Sequence, residues 1–116
     1  MHKLEYSQIV RRKMKILHAD LVWEYGEEKA AAIISKVMKG VRRLEIFPDV
    51  GTRVSALYDV KCDYSYVFVE HNYFFYRMKD EGAVLVLDMF NEKEDFMRKL
   101  FGIVTTPQET IDYWRE

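Results

Sequence analysis

In the first half of the chain, apolar residues recur three or four positions apart, which is the period of a helix with one buried side. The first stripe comprises Val10, Met14, Leu17, Leu21 and Tyr25, and the second comprises Ala30, Ile34, Val37, Val41 and Leu44. Ser7 is a suitable N-cap, Gly26 separates the two stripes, and Pro48 follows the second. Because the link between them is so short, the two helices are predicted to pack as an antiparallel hairpin.

The second half of the chain alternates between apolar and polar residues, which predicts β-strands. Three strands are predicted at residues 64–70, 73–79 and 83–90, and the short breaks between them predict an antiparallel meander. A short edge strand is predicted at 3–6 and another strand at 53–57. Asn91 and Glu94 have capping-box spacing, so a helix is expected at 92–101.

The turn lengths decide which face of the meander each residue occupies, because a slip of one residue exchanges the faces. Two-residue turns at His71-Asn72 and Glu81-Gly82 place Phe75 opposite both Phe68 and Asp88. The face expected to receive the helices is then almost purely apolar and comprises Ser65, Val67, Val69, Phe74, Tyr76, Met78, Leu85, Leu87 and Met89. A three-residue turn at 80–82 would instead bury Asp88 without a partner, which is costly, so the first register is preferred.

The opposite face of the predicted meander carries aromatic rings and charged groups. It comprises Tyr64, Tyr66, Phe68, Glu70, Tyr73, Phe75, Arg77, Lys79, Asp88 and Phe90. Rings stack on bases and cations bind phosphates, so this face is a candidate RNA surface. The alternative is structural: Asp88 pairs diagonally with Arg77, and the C-terminal part of the chain covers the rings.

Composition narrows the class of protein. The 116 residues suffice for one domain, 1–116, of which 103–116 would be a C-terminal extension. The 18 basic and 19 acidic residues nearly cancel, so the chain has no overall basic field for nucleic acid. One cysteine, Cys62, excludes an internal disulfide, and no apolar run approaches the roughly 18 residues of a membrane span, so a cytoplasmic protein is expected. The three histidines lack metal-ligand spacing, and neither a metal nor a cofactor is expected.

The order of these elements resembles the RelE/ParE superfamily, the toxins of type II toxin–antitoxin modules, which are also known as plasmid stabilisation proteins. The resemblance covers residues 3–102 and includes the Pro-x-x-Gly at 48–51, and its most specific part is the hairpin at 72–91. It implies an α+β fold in which an N-terminal helical hairpin packs on a small antiparallel sheet, followed by a C-terminal helix. It also implies an antitoxin partner that wraps the toxin.

The resemblance implies one of two activities. RelE-like members cleave mRNA on the ribosome, where the ribose 2′-OH attacks the neighbouring phosphate, and ParE-like members poison DNA gyrase without catalysis. For mRNA cleavage the candidate catalytic residues are Arg77, Lys79, Tyr73 and Arg53, and the candidate RNA-binding residues are Tyr64, Tyr66, Phe75, Phe90 and Lys93. Tyr64, Tyr66 and Tyr73 stand near positions where RelE-like members have cations, which weakens the expected catalysis.

Between these activities, mRNA cleavage is preferred, because the candidate face keeps both cations and rings. Gyrase poisoning is the first alternative. A decayed toxin that only binds its antitoxin is the second.

Overall fold

In the computed structural model, which describes residues 1–57 and 61–94, a helical hairpin packs on one face of a five-stranded sheet. The strands are β1 Leu4–Tyr6, β2 Thr52–Arg53, β3 Ser65–Val69, β4 Asn72–Met78 and β5 Val84–Asn91. The α-helices are α1 Gln8–Tyr25, α2 Glu27–Arg42 and α3 Val54–Leu57, and short 3-10 helices occupy Arg43–Glu45 and Pro48–Val50. The α+β class and the helical hairpin are therefore confirmed.

The sheet has the order β1-β5-β4-β3-β2. The meander β3-β4-β5 is antiparallel as predicted, and β2 continues it. The expected antiparallel sheet is wrong in one respect, because β1 pairs with β5 in parallel. A parallel neighbour requires a long crossover connection, and the chain between β1 and β5 contains the whole hairpin and the rest of the sheet.

The first helix begins and ends at the predicted residues, whereas α2 ends at Arg42, before the end predicted at Pro48. The Ser7 hydroxyl accepts a hydrogen bond from the Val10 amide at 3.1 Å, and the Gly26 amide donates to the Val22 carbonyl at the end of α1. The buried stripes of both helices meet one face of the sheet, called here the helix face. The core between them comprises Val10, Val37, Val41, Leu44, Phe74, Tyr76, Val84, Val86 and Met89.

The first turn of the meander lies one residue earlier than predicted. Glu70 and His71 both have positive φ, at 45° and 67°, so they form the two-residue loop, and Val69 pairs with Asn72. The Asn72 side chain donates to the Glu70 carbonyl at 2.8 Å. The predicted pairing of Phe68 with Phe75 is wrong by two residues, and Phe68 faces Tyr73 instead. A shift of two residues preserves the faces, so Val67, Val69, Phe74 and Tyr76 face the helices as expected.

The second turn has three residues, with Gly82 at φ +88°, where a side chain would be strained. The Lys79 amide donates to the Ala83 carbonyl, which closes this loop. The prediction of a two-residue turn is therefore wrong, and Val84 and Val86 face the helices in place of Leu85 and Leu87. A β-bulge then resets the register, because Tyr76 pairs with Val86 while Phe75 pairs with Asp88.

The strand predicted at 53–57 is wrong beyond its first residue. Only Thr52 and Arg53 pair with β3, and the chain then turns into α3. Val54 is buried against the opposite face of the sheet, and its amide donates to the Tyr64 carbonyl at 3.0 Å. The side chain of Val54 thus has a packing role that alternation alone did not indicate.

Both residues of the predicted capping box make capping hydrogen bonds. The Glu94 carboxylate accepts from the Asn91 amide at 2.7 Å, and the Asn91 side-chain oxygen accepts from the Lys93 amide at 3.0 Å. The body of the helix predicted at 92–101 and the extension 103–116 lie outside the described residues.

Candidate functional site

An aromatic cluster covers the centre of the face opposite the helices, called here the outer face. Tyr66 stands at the middle of the cluster, with its ring centroid 5.4 Å from Tyr73 and 5.5 Å from Phe75. Phe68 lies 4.8 Å from Tyr73, and Phe90 lies 5.8 Å from Phe75. Aromatic pairs prefer such edge-on and tilted contacts, so the rings stabilise one another by packing together.

Two phenylalanines of this cluster, Phe75 and Phe90, are buried. Phe75 and Phe90 form a small core with Val54, and the half-buried side chains Cys62, Tyr64, Tyr66 and Tyr73 pack around it. A ring that stacks on a base must present its face to solvent. In this structure Phe75 and Phe90 therefore serve as core residues of the outer face, while Tyr64, Tyr66 and Tyr73 remain partly accessible.

Burial raises the pKa of the Tyr66 hydroxyl, and the neighbouring Tyr73 raises it further, while a hydrogen bond with Thr52 lowers it. A general base in phosphate chemistry needs a pKa near the working pH. The shift of Tyr66 is in the opposite direction, so this hydroxyl stays protonated and suits packing and hydrogen bonding rather than proton abstraction.

Two predicted catalytic cations have acidic neighbours on the outer face. The Lys79 ammonium lies 3.3 Å from Glu5 and 3.0 Å from Glu81, and these hydrogen bonds raise the Lys79 pKa. The Arg77 guanidinium lies 3.9 Å from the carboxylate of Asp63, at the limit of an ion pair. Lys79 is therefore locally neutralised, whereas Arg77 is held weakly.

The charge at Asp88 is satisfied from the helix side of the molecule. Lys13 of α1 donates to the Asp88 carboxylate at 2.7 Å and to the Met89 carbonyl at 3.0 Å, and its ammonium lies 4.0 Å from the centre of the Phe90 ring. The expected diagonal pair between Asp88 and Arg77 is not among the ion pairs of the described residues, where Arg77 pairs with Asp63. Lys13 thus closes the edge of β5 beyond the end of β1.

The predicted catalytic residues do not converge on one point. Tyr73 stands near one end of β4 and Lys79 follows its other end, so their backbones are about 20 Å apart at the rise of a β-strand. Lys93 lies at the Tyr73 end, in a cleft with Leu21, Ile33 and His71. Groups that act on a single phosphate must all lie within hydrogen-bond reach of it.

Two of the predicted residues do meet. Arg53 and Arg77 line one groove of about 430 Å³, together with Asp49, Asp63 and Ser65. At its edge the Tyr76 hydroxyl accepts from the Gly51 amide at 3.1 Å and donates to the Pro48 carbonyl at 2.6 Å. The Tyr66 carbonyl lies 2.8 Å from where a side chain at residue 51 would begin, so glycine permits this close approach.

A larger groove, of about 630 Å³, lies between α2 and the edge of β3 and was not predicted as a site. Its helix side carries Lys36, Lys39 and Arg43, and Phe68 is exposed on its sheet side. The signal was present in the sequence as basic residues three and four positions apart along α2. It was missed because such a row is also the normal composition of a solvated helix face.

Within residues 1–57 and 61–94, no group of three or more histidine, cysteine or acidic residues is placed to hold a metal ion. In the same part of the chain, no helix combines the length and the apolar character needed to cross a bilayer.

Comparison with solved structures identifies the fold. The chain is similar to a chain of the chromosomal ParDE toxin–antitoxin system from P. aeruginosa, with a TM-score of 0.66 and 16% identical residues. The similarity covers 78% of this chain and 96% of that chain. The chain has the fold of that ParDE chain. No protein-family model matches the sequence, and no curated protein does either.

The shared fold agrees with the α+β class and the helical hairpin that the order of elements implied. At 16% identity, however, the similarity is one of fold and assigns no role to any residue. The roles of Arg53, Tyr73, Arg77 and the other candidates must therefore be argued from the contacts of this chain.

Proposed function

We propose that the protein is the toxin of a type II toxin–antitoxin pair and that it acts by binding a protein target, with DNA gyrase as the candidate, rather than by cleaving mRNA. The similarity to a chain of a ParDE system supports the toxin class. The placement of the outer-face residues supports the mode of action.

The observation that carries this proposal is the spread of the candidate nuclease groups along β4. Attack of a 2′-OH on the adjacent phosphate needs a proton acceptor and a cation at the same phosphate. Tyr73 and Lys79 are about 20 Å apart along the strand, and Arg77 is about 13 Å from Tyr73. Tyr73 and Lys79 are then too far apart to act on one reacting phosphate, and Arg77 is displaced from Tyr73 along the same strand.

The state of the individual groups points the same way. Lys79 is already paired with two carboxylates, and a phosphate would have to displace them. Burial keeps the Tyr66 hydroxyl protonated, and Phe75 and Phe90 are packed into a core. The outer face thus resembles a second core more than a catalytic cleft. A non-enzymatic toxin needs only a surface that its target recognises.

Two assays on the same purified protein test this proposal. DNA supercoiling by gyrase is measured at increasing protein concentration, and the 3′ ends of a defined mRNA on translating ribosomes are mapped by primer extension. We expect loss of supercoiling and no new mRNA ends. New ends at A-site codons would overturn the proposal, and activity in neither assay would favour a decayed toxin that only binds its antitoxin.

A second candidate function, mRNA cleavage, is favoured by the groove that Arg53 and Arg77 share. The long Arg77–Asp63 contact of 3.9 Å would allow a phosphate to take the place of the carboxylate. In that case Arg77→Ala would abolish the new mRNA ends and the growth defect together. Under the gyrase proposal, Arg77→Ala leaves the growth defect unchanged.

A further inference from the structure

The edge of β3 that faces away from β4 is only partly covered. β2 pairs with the first two residues of β3, and Val50, which the register would place opposite Phe68, belongs to a 3-10 helix instead. Backbone groups point to alternate sides along a strand, and the Tyr64 carbonyl accepts from Val54 on the β2 side. The Phe68 amide and carbonyl therefore point to that side too. Within residues 1–57 and 61–94 no backbone hydrogen bond reaches them there, so this stretch of β3, residues 67–69, is called here the open edge.

The open edge forms the sheet side of the groove of about 630 Å³ beside α2. On the helix side, Lys36, Lys39 and Arg43 are all exposed, and none of them forms an ion pair with another described residue. The three cations span about 10 Å along the helix, which is the length of about three residues of a β-strand. The described lining of the groove adds one acidic residue, Glu70, so the groove favours a negatively charged occupant.

The cations and Phe68 lie on opposite sides of the open edge. α2 approaches the helix face of β3 so closely at Gly40 that a side chain there would meet Val69. Phe68 points to the outer face, where it contacts Tyr73 and is 49% exposed. Successive side chains of a strand point to opposite faces of a sheet. A strand added at the open edge would therefore place its side chains alternately beside the cations and beside Phe68.

We propose that the open edge of β3 binds an extended acidic segment of a partner protein, which pairs with β3 in the antiparallel direction. The residue opposite Phe68 is apolar and packs on its ring, and the residues before and after it are acidic and face the three cations. An antiparallel partner uses a single residue to bond both backbone groups of Phe68, and it continues the direction of β2. This proposal does not depend on gyrase as the target of the toxin.

A peptide fits the groove better than a nucleic acid strand or a second copy of β3. Phosphates would bind the cations, but an amide donor beside a carbonyl acceptor, as at Phe68, is complementary to another peptide backbone. Two open edges of this chain in contact would bring two rows of cations together, which is unfavourable. The occupant that satisfies the backbone and the charges together is an acidic strand.

Fluorescence anisotropy with a labelled peptide tests the binding to the full chain. The probe has seven residues that alternate between glutamate and valine, with glutamate at both ends. We expect it to bind, and we expect Lys39→Glu to weaken the binding about tenfold or more. Lys15→Glu is the matched control, because Lys15 is exposed on α1 and the substitution changes the net charge equally. Absence of binding, or equal weakening by both substitutions, would overturn the proposal.

N-methylation of the peptide tests the backbone pairing and leaves the protein unaltered. In the antiparallel register the valine amides point toward β3, whereas the glutamate amides point to solvent. We therefore expect methylated valines to weaken the binding about tenfold or more and methylated glutamates to change it by less than about twofold. Equal effects of the two modifications, or the reverse order, would exclude the antiparallel pairing.

Amide hydrogen exchange locates the pairing on β3. At saturating peptide the Phe68 amide is expected to exchange about tenfold more slowly, whereas the Val67 amide, which faces β4, should keep its rate. Unchanged exchange at Phe68 while the peptide is bound would place the peptide elsewhere and overturn the proposal. If a single-stranded RNA oligonucleotide binds with the same dependence on Lys39, and N-methylation of the peptide has no effect, the groove is a phosphate site and the proposal is wrong.

Discussion

The two faces of the sheet are both buried at their centres, but they are built from different side chains. The helix face is covered by the long helices α1 and α2 and packs mostly aliphatic residues around Phe74 and Tyr76. The outer face buries Phe75 and Phe90 under Val54 of the short α3, within a ring of tyrosines. An aromatic face is therefore compatible with a second core, and aromatic content alone does not identify an RNA-binding surface.

The charged groups also differ between the edge of β5 and the margin of the outer face. Lys13 reaches the edge of β5 from α1 and contacts Asp88, whose side chain is 15% exposed. Arg77 and Lys79 lie toward the margin of the outer face, and their acidic partners Asp63, Glu5 and Glu81 are more accessible. Solvent weakens the ion pairs at the margin. The contribution of each pair to stability is therefore expected to increase with its burial.

The largest effect is expected from truncation of the central phenylalanine on each face. Phe74→Ala and Phe75→Ala should each lower the free energy of unfolding by about 3–5 kcal/mol, because both rings are fully buried. Urea denaturation followed by circular dichroism measures both. Phe68→Ala is the matched control, since Phe68 is about half exposed on the same sheet and should cost much less.

The comparison between Phe74 and Phe75 decides whether the outer face is a core. If Phe75→Ala left the stability unchanged while Phe74→Ala lowered it, Phe75 would be available for a ligand and the outer face would again be a candidate RNA surface. Similar losses in the two variants would support the packing role.

The sequence predicted the faces of β3 and β4 correctly and those of β5 only in part. Alternation identified the buried side of β3 and of β4. The first turn was misplaced by one residue, but this error did not exchange the faces. On β5 the three-residue turn exchanged the faces of residues 84–86 relative to the prediction. The bulge at Leu87 then restored the predicted pairing of Phe75 with Asp88. Alternation has a period of two, so it cannot reveal a longer turn whose shift in register is cancelled by a bulge further along the strand.

The candidate site was predicted less well than the fold. The candidate residues of β4 do lie on the outer face. However, Tyr73 and Lys79 are about 20 Å apart along the strand, a distance that the strand rise alone implies. The partner of Asp88 could not be predicted, because Lys13 is 75 residues away and reaches it only through the packing of α1 on β5. Contacts between distant segments depend on tertiary geometry that local patterns do not encode.

A smaller effect is expected from the hydroxyl of Tyr76, which joins the helix face to the loop before β2. It bonds the Gly51 amide and the Pro48 carbonyl while its side chain is almost completely buried. Tyr76→Phe should therefore lower the free energy of unfolding by about 1–3 kcal/mol. Tyr25→Phe, at an exposed position, should have almost no effect in the same denaturation assay, and equal effects would show that the hydroxyl bonds contribute little.

The smallest effects should distinguish Lys13, at the edge of β5, from Arg77, at the margin of the outer face. Lys13→Met keeps the aliphatic stem but removes the charged donor from the Asp88 carboxylate, which keeps its bond from the Met89 amide, and removes the Lys13 donor from the Met89 carbonyl, so we expect a loss of about 1–2 kcal/mol. Arg77→Ala should change the stability by less than about 0.5 kcal/mol, because its contact with Asp63 is long and its side chain is 38% exposed. Thermal unfolding of both variants, with Lys15→Met as the exposed control on α1, measures the difference. A loss for Arg77→Ala as large as for Lys13→Met would mean that the outer margin is a rigid part of the fold, and the groove of Arg53 and Arg77 would then be less able to exchange Asp63 for a phosphate.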